Sequence, residues 1–236
     1  MNNLRFKEFT QFNIFMCFSA TASFTASFSL SVLGTATLTQ MTSKKQILLA
    51  IFPLLFAIQQ FFEGIVWLNL ENKSSPLYFL GTYVFLVFAT GFWLIFCPMS
   101  VYLLEDDPFR KKIILGIAAI GTILGIYFVI CVVRQEVIVT NDLGNLFYNI
   151  NLLYDLKFAL FYDICKYLYL LVISVPFLIS SQRLLAVFGI LIILSFILAD
   201  QFYQATFISV WCFFAAVISS VLLFIFLNWK TALPQD

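Results

Sequence analysis

Glu63, Asp163 and Lys166 stand inside long apolar runs, where an ionisable side chain is costly and by default marks a functional site. The stretch around Glu63, Ile47–Leu70 (ILLAIFPLLFAIQQFFEGIVWLNL), also carries Gln59 and Gln60. Gln59, Glu63 and Trp67 recur at i, i+4 and i+8, so on a helix they share one face. Asp163 and Lys166 are three residues apart and are helical neighbours as well. Two carboxyls and an ammonium in apolar surroundings suit three kinds of work: binding a small polar ligand, paired-carboxylate acid–base chemistry, or joining helices as ion pairs. Histidine is absent from the 236-residue chain. That excludes Ser-His-Asp and Cys-His catalysis and every His-containing metal site. The five cysteines, Cys17, Cys97, Cys131, Cys165 and Cys212, form no CxxC pair and read as small packing residues, not as a disulfide framework. No catalytic residue, metal ligand or cofactor is assigned.

The elements that hold these groups follow from composition. The chain is 62% hydrophobic and only 11% charged, against about 25% charged residues in a soluble domain. It has too little polar surface to cover itself in water. Apolar runs close to the ~20 residues that cross a bilayer repeat along it, which predicts an all-α bundle embedded in lipid. The net charge of +1 gives no argument for nucleic acid.

Seven spans are expected: Ser19–Gln40, Ile47–Leu70, Leu77–Leu104, Ile113–Val133, Phe158–Ile179, Leu184–Ala199 and Phe207–Trp229. The first is weakly apolar and rich in Ser, Thr and Ala. Such a helix suits close packing on its neighbours, with hydroxyls bonding across helices. Pro98 predicts a kink in the third. Gly121 and Gly125 form a GxxxG, read as close helix packing. The longest connection, 134–157, reads as a loop with a turn at Asn141, Asp142 and Gly144 and an interfacial segment, a short surface helix. Residues 1–15 read as an N-terminal extension, 16–230 as one seven-helix domain, and 231–236 as a tail. A signal peptide would take Arg5 and Lys7 as its charged end, but its apolar core is short and broken by Asn13.

Seven crossings put the two ends of the chain on opposite sides. Lys44, Lys45, Arg110, Lys111, Lys112, Arg183 and Lys230 then share one side, against Arg5, Lys7, Lys73, Arg134 and Lys157 on the other. The excess places the C-terminus in the cytoplasm and the N-terminus outside. At 1.5 Å per residue Glu63 lies roughly 10 Å from the outer end of its span, and Asp163 and Lys166 about 8 and 12 Å from theirs. Trp211 lies in the same half, and Asp200 closes the sixth span there.

Three arrangements satisfy this matched depth. Gln59, Gln60, Glu63, Trp67, Asp163, Lys166 and Trp211 line a polar pocket open to the outside; or Glu63 or Asp163 pairs with Lys166 as an internal tie; or Asp163 and Lys166 reach out to the headgroups.

Met16–Phe24, MCFSATASF, with FPLLFAIQQFFEGIVW in the second span and Phe207–Ala216 in the last, resembles a family of uncharacterised bacterial multi-pass proteins that open on MCFSATASF. Pro176, Phe177 and Leu178 with Ser180, Ser181 and Arg183 fit it as well. The resemblance implies a seven-helix protein of the bacterial inner membrane. It supplies no activity, and it places motifs at Glu63 and at Ser209–Cys212.

The first expectation for function is a non-enzymatic binder or transporter of a small polar or amphipathic ligand, with the lipid bilayer as its other partner. No inverted repeat is visible to favour transport. The alternatives are an accessory subunit of a membrane complex and a lipid-modifying enzyme using Glu63 and Asp163. A retinal protein is disfavoured because residues 207–229 contain no lysine.

Overall fold

The computed structural model describes residues 19–152 and 159–231. The 1–15 extension, Cys17 with the start of the opening string, Lys157 and residues 232–236 of the tail lie outside the described residues. Seven helices fall on the seven expected segments: α1 (Ala20–Thr39), α2 (Lys44–Leu68), α3 (Pro76–Leu104), α4 (Pro108–Val133), α5 (Ala159–Ile179), α6 (Arg183–Phe202) and α7 (Phe207–Trp229). Five of them, α2, α3, α4, α6 and α7, are long and apolar enough to cross a membrane.

Local chemistry sets the helix starts. The Ser19 hydroxyl accepts the Ala22 N–H at 3.2 Å, and Asp107 accepts the Arg110 N–H at 2.8 Å. Pro76 and Pro108 occupy first-turn positions, where a missing N–H costs nothing. Ser43 and Gln46 form a capping box at the head of α2.

The helical ladder of α3 is interrupted one to two turns before Pro98. Helix α3 runs as α-helix through Pro98 and is irregular earlier, in a π-helical turn at Phe88–Phe92. Proline has no N–H for the carbonyl four residues back, so Leu94 is left without its helical donor. Gly121 of α4 packs on that carbonyl so closely that a Cβ would meet the oxygen at 2.3 Å. Gly125 lies against Gly91 of the π-turn in the same way, so that a Cβ on it would meet the Gly91 oxygen at 3.0 Å. The GxxxG is therefore an intramolecular seam between α3 and α4.

Helix α1 packs on α2, with Gly34 against Leu54 and Gly64 against Phe24. Of its hydroxyls, Ser27 reaches across, donating to the Ala57 carbonyl at 2.8 Å. Ser31, Thr35 and Thr37 donate to carbonyls of α1 itself. Its other face, with Phe28 and Val32, is exposed.

Within the 134–157 connection, residues 134–152 are described, and the turn expected at Asn141, Asp142 and Gly144 joins two strands where a loop with a surface helix was expected. Residues Ile138–Asp142 (β1) and Asn145–Asn149 (β2) form an antiparallel hairpin, with Val139 opposite Tyr148. The two-residue loop places Leu143 at φ 49° and Gly144 at φ 84°, the type I′ geometry that matches strand twist. Phe85 of α3 stacks on Tyr148 at 4.9 Å, and the Tyr78 hydroxyl accepts the Val139 N–H at 2.8 Å. These contacts lay the hairpin over one end of the bundle.

The connections 40–43, 105–107 and 180–182 and the first turn of α2 meet at the opposite end. There Lys45 pairs with Asp106 at 2.6 Å, and Glu105 accepts the Ser181 N–H at 2.8 Å and its hydroxyl at 2.6 Å. Between the two ends, α4 and α6 expose apolar rows, including Ile123, Ile126 and Val133 on α4 and Ile190, Leu194 and Leu198 on α6. Such patches on helices of this length are compatible with lipid contact.

Candidate functional site

Two adjoining features occupy the half of the bundle under the hairpin. The first is a buried polar cluster built on α2. Gln59, Gln60 and Glu63 are all but fully enclosed, with exposures of 0%, 0% and 2%. The Trp93 indole donates to the side-chain Oε1 of Gln59 at 2.8 Å, and its ring stacks on Phe56 at 4.0 Å. The Ser209 hydroxyl of α7 donates to Oε1 of Glu63 at 2.5 Å. Gln60 sits one turn before Glu63, its amide close to the carboxyl but in no hydrogen bond of good geometry. The amide nitrogen of Gln59, the indole of Trp67 and the hydroxyls of Thr82 and Tyr148 are also enclosed without a hydrogen-bond partner. Native interiors leave few such groups, and each calls for an explanation.

The second feature is a cavity of about 230 Å³ between the hairpin, helices α3, α4, α5 and α7, and the connection from α6 to α7. Tyr148 and Cys212 form the wall nearest Glu63. Phe128, Tyr169, Phe207 and Trp211 supply aromatic surface, and Lys166 is its charged member. Asn149, Gln204 and Ala205 are exposed and form the mouth at the hairpin end. The π-turn contributes directly: the Tyr169 hydroxyl donates to the Ala89 carbonyl at 2.7 Å, and Ala89 and Thr90 line the cavity.

Lys166 is held by α6. Its ammonium donates to Asp200 at 2.6 Å and lies 3.6 Å from Asp163. The expected i, i+3 partner is the longer contact, and Asp200, known from sequence only as the end of a span, is the nearer one. Among the described residues the ion pairs are these two and Lys45–Asp106, so no lysine or arginine side chain there pairs with Glu63.

The seven residues expected to line one pocket are thus divided. Lys166 and Trp211 line the cavity. Gln59, Gln60 and Glu63 lie in the cluster behind Tyr148 and Cys212, with Trp67 half-buried one turn further along α2. Asp163 is exposed beside Lys166. Trp211 donates from its indole to the Ser195 hydroxyl at 3.2 Å, which fixes its ring edge-on to Tyr169.

Tyr148 was missed because its segment reads as a loop. The Val-Thr-Asn and Leu-Phe-Tyr alternation about Leu143-Gly144 is the signal that finds it. Its hydroxyl is pushed well above the usual phenol range, first by burial and then by Glu63 whenever that carboxyl is ionised, so it stays protonated at neutral pH. Among the described residues no three Cys, Asp or Glu side chains gather to hold a metal ion.

Glu105 makes the other enclosed carboxylate contact, at the far end of the bundle. Burial pushes its carboxyl up. The Ser181 hydroxyl, the N–H groups of Ser181 and Asp107, and the nearby Arg110 outweigh that and hold it below the usual 4.5.

Residues 16–235 match the family described as Family of unknown function (DUF6629). The chain belongs to this family. No curated protein and no solved structure matches the chain. The family match begins at Met16, where the resemblance put the family's opening, and it takes in all seven helices, the Glu63 cluster and the cavity.

Proposed function

We propose that this chain is a seven-span protein of a bacterial inner membrane, with its hairpin end outside and its C-terminus in the cytoplasm, that binds or carries a small amphipathic molecule in the cavity under the hairpin. The observation that carries this reading is the cavity itself: aromatic walls, one charged group at Lys166, and a mouth of exposed residues at the hairpin end. Concave, mostly apolar sites with a few placed polar groups are the usual form of small-molecule pockets. The cationic residues at the opposite end, Lys44, Lys45, Arg110, Lys111 and Lys112, support the orientation. At about 230 Å³ the space equals that of roughly eight waters at ~30 Å³ each, so the occupant is small, with an apolar body and a polar end facing Lys166 and Gln204.

The test is ligand-dependent stabilisation. Purified protein in lipid nanodiscs is screened by thermal unfolding against a panel of small aromatic and short-chain carboxylic acids, amines and alcohols. Binding raises the unfolding temperature in the wild type and is lost in Ala205→Trp, which narrows the mouth from an exposed position. A panel with no stabilising compound, or one whose effect survives in Ala205→Trp, overturns the assignment.

A further inference from the structure

The Glu63 cluster adjoins the cavity but lies behind its wall, and it carries a problem that the cavity does not solve. A carboxyl 2% exposed, with no cation paired to it among the described residues, cannot keep a full charge in an apolar bundle at small cost. It must be neutralised by a proton or by a bound cation.

The groups around it decide between the two. Ser209 donates to one carboxyl oxygen. The Gln60 amide, close by and unpaired at both its oxygen and its nitrogen, can serve either protonation state. Its oxygen accepts from a carboxylic acid, and after an amide flip its nitrogen donates to a carboxylate. A dehydrated metal cation needs a shell of oxygen acceptors. This cluster is instead rich in donors: the Gln59 and Gln60 nitrogens, the Trp67 indole and the Tyr148 hydroxyl. The elements packed on this part of α2 bring few titratable groups. Helix α1 has none, α3 brings Tyr78 and Tyr83 on its hairpin side, α7 brings Cys212, and the hairpin, packed on α7, brings Tyr148. Tyr78 and Tyr83 are occupied with the backbone of Val139 and Gln135. Tyr148 is left: the residue lines the cavity, while its hydroxyl is enclosed behind that wall and unpaired, on the side where an ionised Glu63 would act on it.

We propose that Glu63 is a proton-binding site, that Ser209 and Gln60 hold its carboxyl in both protonation states, and that it exchanges its proton with the cavity by way of the Tyr148 hydroxyl. Loading is a proton transfer with no redox step. A hydronium in the cavity becomes water, Tyr148 takes that proton as it releases its own toward the cluster, and the Glu63 carboxylate becomes a carboxylic acid. The inference rests on the cavity as a route to the outside, not on any occupant.

Infrared difference spectroscopy of the protein in nanodiscs tests it, with no ligand present. The wild type is expected to show a buried carboxylic-acid C=O band that shifts in D₂O. The band should be missing from Glu63→Gln and return, displaced, in Glu63→Asp. The aspartate variant keeps the test valid should the glutamine variant fail to fold. Tyr148→Phe should keep the band and slow its deuterium exchange by tenfold or more. A wild type without a Glu63-dependent band overturns the site. A band abolished by sodium at constant pH makes it a cation site and overturns the proton assignment. Exchange unchanged in Tyr148→Phe overturns the route. A protein that shows the band but is stabilised by no compound sinks only the binding reading.

Discussion

The hydroxyl of Ser209 on α7 donates to the carboxyl of Glu63 on α2, joining residues 146 apart in the chain at 2.5 Å inside the bundle. The bond ties the last helix to the second at the depth where the cavity ends. Removing the hydroxyl leaves a buried carboxyl oxygen without its donor, a change worth about 1–3 kcal/mol. Ser209→Ala should lower stability by that amount and Ser209→Thr should recover most of it, as read by reversible unfolding in mixed detergent. Equal stability of all three proteins would show that the bond contributes nothing net.

Glu105 gives a pH dependence with a defined sign. Its folded carboxyl is held below the usual 4.5, so folding favours the ionised form. The stabilisation is complete above 4.5 and is lost as pH falls from there through the lower folded value. Glu105→Gln should therefore unfold at a lower temperature than wild type at neutral pH, and the gap should close as pH is taken down to about 3. A gap that stays constant across the range would mean that the contacts with Ser181 act through shape and not through charge.

The seam between α3 and α4 separates two glycines in one helix. A methyl group on Gly121 meets the Leu94 carbonyl oxygen at 2.3 Å, while one on Gly116 meets nothing within 4 Å. Gly121→Ala should cost about 1–3 kcal/mol as the helices are forced apart. Gly116→Ala should gain up to about 1 kcal/mol from helix propensity. Unfolding of the two variants side by side checks both signs.

The hairpin is pinned by Tyr78, whose hydroxyl is the acceptor for the buried Val139 N–H. Tyr78→Phe keeps the ring and removes the acceptor. Amide exchange across Ile138–Asp142 and Asn145–Asn149 should accelerate severalfold, while the interior of α3 around Val101 stays protected. Unchanged exchange in the strands would mean that stacking of Phe85 on Tyr148 holds the hairpin by itself.

The seven helical segments were legible because each arises from a local run of apolar residues bounded by proline, glycine or charge. That Glu63 and Lys166 fall in the same half of the bundle followed from counting residues along those runs. The hairpin was not legible in the same way. Its strands are short, and their alternation is blurred by Leu143, a residue that a left-handed turn position disfavours. The π-turn at Phe88–Phe92 was hidden too, since nothing in the apolar run there marks it.

The sequence by itself determined that the chain is an apolar helical bundle, which side chains interrupt its apolar runs, and that Glu63, Lys166 and Trp211 lie in one half of it. Only the tertiary structure decided their partners: Ser209 for Glu63, Asp200 ahead of Asp163 for Lys166, and Ser195 for Trp211. It also set Tyr148 and Cys212 between Glu63 and the cavity. Helix formation is governed by neighbours a few residues apart. Which buried donor meets which acceptor depends on how helices rotate and slide as their surfaces pack, and those surfaces are brought together from distant parts of the chain.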